Sequence, residues 1–403
     1  MRNLLTAVLS LLLFSVAGLA WAGERPVTIL IGVDGFRADY LNPEDAPNLS
    51  ALAARGARAQ GMRPSFPSLT FPNHYTLVTG LRPDHHGVVD NVMEDADRPG
   101  QTFTMGAKAI SGDPFWWDGG EPLWVTAERA GVRTATMFWP GSDLPIRGVR
   151  PSAWRPYDKN VLASARVDQV LAWLAAPEPP TFLTLYFDDV DTVGHYFGPD
   201  SSERRVATRR IDTQIGRLDA ELRGRGVDAN LVVVADHGMA GVSRDRIVYL
   251  DDLVPAEAIR VVTFGAGAGL YPEPGRKRQV EAALLGRHDH MTCWRKSGLP
   301  KRMRFGAHPR IPAIVCLADT GWMLSTHARN ARWPMTNRGA HGFDPYDPAM
   351  AAVFVAAGPA FKPGVVLPVF DNVDVYPLLA RLIGVTPQPN DGTLGPLVPA
   401  LAP

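Results

Sequence analysis

Asp191 and His195 stand four residues apart in Asp191-Thr192-Val193-Gly194-His195, and Asp236 is followed at once by His237. A carboxylate and an imidazole at that spacing can grip one ion from a single short turn, and the Asp-His pair offers two more ligands. With Asp34 in Val33-Asp34-Gly35-Phe36-Arg37 and His341 in Gly339-Ala340-His341-Gly342, six residues have the types and positions of a two-metal site. Mixed oxygen and nitrogen donors suit zinc, whereas calcium and magnesium want mostly oxygen; manganese and iron stay open. Singly, each residue would be read as a turn, a cap or an ordinary polar group. Their combination is what argues for metal.

A candidate nucleophile lies in Pro64-Ser65-Phe66-Pro67-Ser68-Leu69-Thr70-Phe71-Pro72-Asn73-His74-Tyr75. Pro72 fits the first turn of a helix, which puts Thr70 at its N-terminal end. Negative charge is favoured there, and a bound metal would lower the hydroxyl pKa much further, so Thr70 could act as an alkoxide. Read by itself, the stretch fits an N-cap threonine better.

The elements that must hold these groups are legible as apolar runs. Residues 27–33, 181–187 and 231–235 are continuous apolar stretches that run into Asp34, Asp188 to Asp191, and Asp236. Such runs suit strands buried on both faces of a parallel sheet, with ligands gathering at their carboxyl ends. Val167, Val170, Leu171 and Leu174 share one helical face; Ile211, Ile215, Leu218 and Leu222 share another, behind a capping-box pattern at Asp200-Ser201-Ser202-Glu203. Alternating strands and helices predict an α/β fold with helices on both faces of the sheet. From 244 to 336 the rhythm changes to clustered aromatics, prolines and basic residues, which predicts an inserted cap subdomain; residues 23–243 and 337–403 then form the catalytic α/β domain.

Lys+Arg and Asp+Glu both number 41 in 403 residues, so no nucleic-acid partner is expected. Residues 1–22 read as a signal peptide, with Arg2, an apolar run over 4–20 and Ala20-Trp21-Ala22 before the cut. The run is at the short end of the roughly 17 to 25 residues that a bilayer needs, so the mature chain should be periplasmic or secreted, without a stable membrane anchor. The two cysteines, Cys293 and Cys316, could pair in that compartment or stay free.

The five motifs around Asp34, Thr70, Asp191, Asp236 and His341 occur in the order seen in nucleotide pyrophosphatase/phosphodiesterases of the alkaline phosphatase superfamily, and the resemblance covers residues 27–383. It implies an alkaline-phosphatase-like, mostly parallel sheet and two Zn2+ per chain. Asp191, His195 and His341 would hold one ion; Asp34, Asp236 and His237 would hold the other, with Thr70 as its nucleophilic ligand. The implied chemistry is attack of Thr70 on phosphorus, a phosphothreonyl intermediate, and its hydrolysis by water from the opposite side.

By the same resemblance, Asn91 matches the residue that donates to a non-bridging phosphate oxygen, and Phe71 and Tyr186 match the rings that sandwich a nucleobase. The implied substrates are small-molecule nucleotides such as ATP and dinucleotides, cleaved to nucleoside 5′-monophosphates. Family members that act on lysophospholipid or choline-type phosphodiesters give the alternative substrate class, and a non-catalytic metal-binding module is a more distant reading. Sulfatases share the plan but need a Cys or Ser where this chain has Thr70. His288 and His290 are expected to be structural or surface residues rather than ligands.

Overall fold

The computed structural model describes residues 25–403, so the signal-peptide reading of 1–22 lies outside the described residues. Three apolar runs form the centre of an eight-stranded sheet. Strand Val27–Val33 lies between Ala229–Val234 and Phe182–Phe187, parallel to both. Side chains of these strands are almost all buried, because helices cover both faces and no polar alternation is needed. Thr134–Met137 and Ala153–Arg155 extend the sheet in parallel on one side. On the other side, Phe354–Ala357 pairs antiparallel with Ala229–Val234 and with Ala57–Ala59, and Val365–Leu367 closes the edge. The sheet is thus mostly parallel, with one reversed strand.

Since the three central strands are parallel neighbours, Asp34, Asp188 and Ala235-Asp236 leave the sheet at the same carboxyl-terminal end of the strands. Helix Ala163–Leu174 buries Val167, Val170 and Leu171, and helix Ser202–Gly224 buries Ile211, Ile215, Leu218 and Leu222, the faces expected from their spacing. Ser201 caps the second helix by accepting from Arg204 N–H at 3.2 Å. The capping box is not completed: Arg204, not an acid, occupies the third helical position, and Glu203 takes the Ser202 hydroxyl instead.

Within 244–336 the structure has order that the sequence pattern hides. Five short strands form an antiparallel sheet in the spatial order Ile259–Val261, Gly267–Pro272, Ile314–Ala318, Met291–Arg295, Gly286–His288. Leu250, Leu270, Val280, Leu284, Met291 and Ile314 pack into a second hydrophobic cluster beside the main one. Cys293 and Cys316 face each other across two neighbouring strands of this sheet and form a disulfide. Among the described residues, no helix is long and apolar enough to cross a membrane.

Candidate active site

Helix Asp189–Phe197 starts just after strand Phe182–Phe187 and carries Asp191 and His195 one turn apart, so both project from one face. His195 Nε2 lies 3.4 Å from Asp191 Oδ2. Asp34 is brought alongside by Gly35, whose φ is +66° and whose added Cβ would stand 2.9 Å from Asp191 Cα. Only glycine accepts both that conformation and that approach. His341 returns to the carboxyl ends of the central strands because Gly339–Ala340 pairs antiparallel with Ala240–Gly241, a few residues beyond His237. The His237 and His341 rings then stack at 3.5 Å.

Two triads converge closely enough to hold an ion, Asp34–Asp236–His237 and Asp191–His237–His341, with ligand atoms within 4.8 Å of one another in each. The first coincides with a set implied by the sequence. In the second, His237 takes the place expected for His195, which stands beside the group with its ring 5.0 Å from that of His341.

Each of the three histidines has its Nδ1 on a backbone carbonyl: His195 on Gly339 at 2.8 Å, His237 on Gly238 at 2.9 Å and His341 on Ser68 at 3.0 Å. A carbonyl can only accept, so Nδ1 carries the proton and the Nε2 lone pair faces inward, as metal-ligating histidines require.

The carboxylates tell the same story from the acceptor side. Asp34 Oδ1, Asp191 Oδ1 and Asp236 Oδ2 are buried and have no hydrogen-bond partner. Buried unpaired carboxylate oxygens are costly unless a cation compensates them. His237 Nε2 and Asp236 Oδ2 are 2.9 Å apart, two lone pairs between which a proton or a cation must sit. Burial, followed by the charges of Asp236 and Asp191, pushes the Asp34 carboxyl well above its usual range. Burial, then the neighbouring His237 and His195, holds His341 well below the usual imidazole value. The donor set therefore fits bound divalent cations.

Thr70 is the first residue of helix Thr70–Thr79, and the N-cap is Leu69. Its hydroxyl is not engaged in capping; Oγ1 lies 3.3 Å from His237 Nε2. Asn73 fixes the turn before it by donating to Pro67 O and Leu69 O, both at 2.9 Å. His74, fully buried, holds its Nδ1 3.0 Å from Thr70 O and packs edge-on to Trp139 and Tyr186. Asn91 Oδ1 accepts from Phe71 N–H at 2.9 Å, which leaves its Nδ2 as the free donor on the wall beside Thr70.

Phe71 and Tyr186 border a cavity of about 340 Å³ that reaches Thr70 and Asp34. Tyr186 is nearly enclosed, and its hydroxyl donates to Asp34 Oδ2 at 2.6 Å. The ring most open to this cavity is Tyr157, 39% exposed, which sits edge-on to Tyr186 and Phe138 and donates to Asp188 Oδ2 at 2.6 Å. Sequence reasoning missed Tyr157 because it lies in the irregular segment Pro156-Tyr157-Asp158 that follows strand Ala153–Arg155, without any periodic signal. His288 and His290 lie away from the cluster, one bonded to Leu284 O and the other stacked on Trp322.

The profile of the type I phosphodiesterase / nucleotide pyrophosphatase family matches residues 28–344. An uncharacterized pyrophosphatase/phosphodiesterase of Schizosaccharomyces pombe is 35% identical over 390 residues, 92% of this chain and 79% of that protein. Human ectonucleotide pyrophosphatase/phosphodiesterase family member 1 is 36% identical over 93% of this chain, which spans 42% of its length. The venom phosphodiesterase of Macrovipera lebetinus is 36% identical over 93% of this chain and 45% of its own length.

Among solved structures, human ectonucleotide pyrophosphatase/phosphodiesterase 5 superposes with a TM-score of 0.89 at 31% identity, covering 94% of this chain and all of that one. The murine counterpart, described as an inactive threonine-to-alanine variant in complex with AMP, gives a TM-score of 0.89 at 30% identity over 94% of this chain and 100% of its own. With an eight-stranded sheet of the same architecture and a matching profile over most of its length, the chain belongs to the type I phosphodiesterase / nucleotide pyrophosphatase family, hydrolases of phosphodiester and pyrophosphate bonds in the alkaline phosphatase superfamily.

Proposed function

We propose that the chain is a secreted, two-zinc phosphodiesterase that cleaves nucleotides such as ATP and dinucleotides to nucleoside 5′-monophosphates, with Thr70 as nucleophile. The observation that carries this reading is the position of Thr70 Oγ1, 3.3 Å from His237 Nε2 at the junction of the two triads. Asp34, Asp236 and His237 would hold one zinc, and Asp191, His195 and His341 the other. Zinc bound there would supply a lowered hydroxyl pKa and charge stabilisation at the phosphoryl and leaving oxygens.

Thr70 Oγ1 loses its proton to solvent and forms a bond to phosphorus as the bond to the leaving oxygen breaks. Asn91 Nδ2, held in orientation by Phe71 N–H on its Oδ1, donates to a non-bridging oxygen where charge develops. Water then attacks phosphorus from the opposite side, releases the 5′-monophosphate and returns a proton to Thr70. The aromatic cavity beside Phe71 and Tyr157 suits the base of the nucleoside that stays on phosphorus, since stacking accepts any base. Support also comes from the AMP named with the murine structure and from the ecto- and venom enzymes among the relatives, which accord with a secreted protein. Residues 244–336 are taken as an insertion in a catalytic domain formed by 23–243 and 337–403.

Turnover of three aryl esters by zinc-reconstituted protein tests the reading: a nucleotide diester, a phosphomonoester and a phosphorylcholine diester. The nucleotide diester should be preferred. Preference for the phosphorylcholine ester would move the substrate to choline-type phosphodiesters, and preference for the monoester would make the protein a phosphatase.

A further inference from the structure

Thr70 and His74 stand four residues apart on one helix, a spacing that lays the His74 ring back over the turn carrying the nucleophile. The ring is fully buried, and its Nδ1 lies 3.0 Å from Thr70 O. A carbonyl only accepts, so Nδ1 carries the proton. Asp236 Oδ2, a carboxylate oxygen without a hydrogen-bond partner, stands 3.4 Å from the same nitrogen. One N–H is thus presented to two acceptors, the backbone of Thr70 and a member of the Asp34–Asp236–His237 triad. The other oxygen of Asp236 accepts from Gly35 N–H at 3.2 Å, so His74 faces the side of the carboxylate that Gly35 leaves open.

Packing alone does not account for a histidine at this position. Its Nε2 is buried with no hydrogen-bond partner, in a space bounded by Trp139, Tyr186 and Gly32. An apolar side chain would fill that space without leaving a polar atom unmet. The surroundings are nevertheless built around the ring: a Cβ on Gly32 would stand 2.9 Å from Trp139 Cζ3 and 3.4 Å from His74 Nε2, and Trp139 Nε1–H donates to His74 O at 3.0 Å. With one nitrogen engaged and the other enclosed, the ring keeps one orientation and offers one proton at one place.

We propose that His74 is a positioning residue of the reaction: through Nδ1–H it ties the backbone of Thr70 to the side chain of Asp236, and so sets where Thr70 Oγ1 stands relative to the ion site of Asp34, Asp236 and His237. The inference rests on the metal-dependent reading proposed above and adds a residue that acts through Thr70 and Asp236 rather than on the substrate. Ligating carboxylates depend on outer hydrogen bonds of this kind, and a nucleophile displaced by a fraction of an ångström loses its line of attack.

Three substitutions separate this role from packing. In His74→Asn an amide N–H can stand near the place of Nδ1; in His74→Gln it stands nearer that of Nε2; His74→Leu has no donor. For each, zinc affinity is measured by competition with a chromophoric chelator, kcat and KM are measured on an aryl nucleotide ester in excess zinc, and Tm reports folding. His74→Leu should bind zinc about 10-fold more weakly and, with zinc in excess, lose about 10-fold or more in kcat while KM stays within about twofold of wild type. His74→Asn should recover most of both losses, and His74→Gln should not. If His74→Leu does not fold, the contrast between the Asn and Gln variants decides. Equal impairment of those two, wild-type zinc affinity and kcat in His74→Leu, or a loss confined to KM would each overturn the proposal. Zinc affinity needs no turnover, so wild type that leaves the ester uncleaved in excess zinc would overturn the parent function while the affinities still judge His74.

Discussion

The hydroxyl of Tyr186 donates a 2.6 Å hydrogen bond to Asp34 Oδ2, and it does so across two adjacent parallel strands in which Val33 is paired with Phe187. The bond occupies one oxygen of the carboxylate and leaves Oδ1 for a cation. Outer partners of this kind typically contribute about 10-fold or more to metal affinity. Tyr186→Phe keeps the ring and deletes only the donor, so zinc affinity measured by competition with a chromophoric chelator should fall by about 10-fold, with activity recovering in excess zinc. Unchanged affinity would show that Tyr186 serves as a cavity wall and no more.

The half-exposed ring of Tyr157 and the ring of Phe71 face the same cavity. If a base stacks there, Phe71→Ala and Tyr157→Ala should each raise KM for an aryl nucleotide ester by about fivefold or more, since a stacked base contributes about 1–3 kcal/mol. Turnover of an aryl phosphorylcholine, which has no base, should not respond. Parallel losses on both esters would place these rings in the packing of the loop rather than in recognition.

Three unpaired buried carboxylate oxygens should make the metal-free protein both inactive and less stable. Dialysis against a strong chelator should abolish ester hydrolysis and lower Tm, and added zinc should restore both where calcium does not. A chelated protein with full activity would remove metal from the account.

His86 is fully buried against helix Thr70–Thr79, with its Nε2 3.1 Å from Thr76 Oγ1 and its Nδ1 accepting from Val88 N–H at 3.1 Å. Burial pushes its pKa down to about 3, below the usual value of 6.5. A depressed folded pKa means that the unfolded chain binds the proton first, so His86 contributes stability that is complete above pH 6.5 and is lost as pH falls toward 3. Through that window one such group lowers unfolding free energy by about 1.4 kcal/mol per pH unit. Denaturant unfolding of wild type and His86→Gln between pH 7 and pH 4.5 should show wild type losing stability more steeply as the pH falls, because only its unfolded chain takes up the extra proton at this position. Parallel curves would mean that His86 is charged in the folded protein.

Much of the site was legible because its ligands follow local rules. Asp34 and Asp236 end strands whose apolar runs are unbroken, and Asp191 and His195 are one helical turn apart. His341 is different: it reaches the cluster through the two-residue pairing of Gly339–Ala340 with Ala240–Gly241, too short to leave a pattern, so which histidine faces which carboxylate could not be read. The antiparallel sheet in 244–336 was hidden for a related reason, since its strands are only three to six residues long, too short for a clear alternation. The pairing of Cys293 with Cys316 depends on the register of two such strands, which composition does not carry. Thr70 looked like a cap because a cap and a first-turn residue differ by one position; Leu69 takes the cap and frees the hydroxyl.

The stereochemical course at phosphorus tests the role of Thr70 most directly. Hydrolysis of a nucleotide ester made chiral with sulfur and heavy oxygen at phosphorus should proceed with net retention, because attack by Thr70 inverts the centre once and attack by water inverts it again. Thr70→Ala, folded and zinc-loaded, should give no product beyond background. Net inversion by the wild-type protein would mean that water attacks phosphorus directly and that Thr70 forms no covalent intermediate.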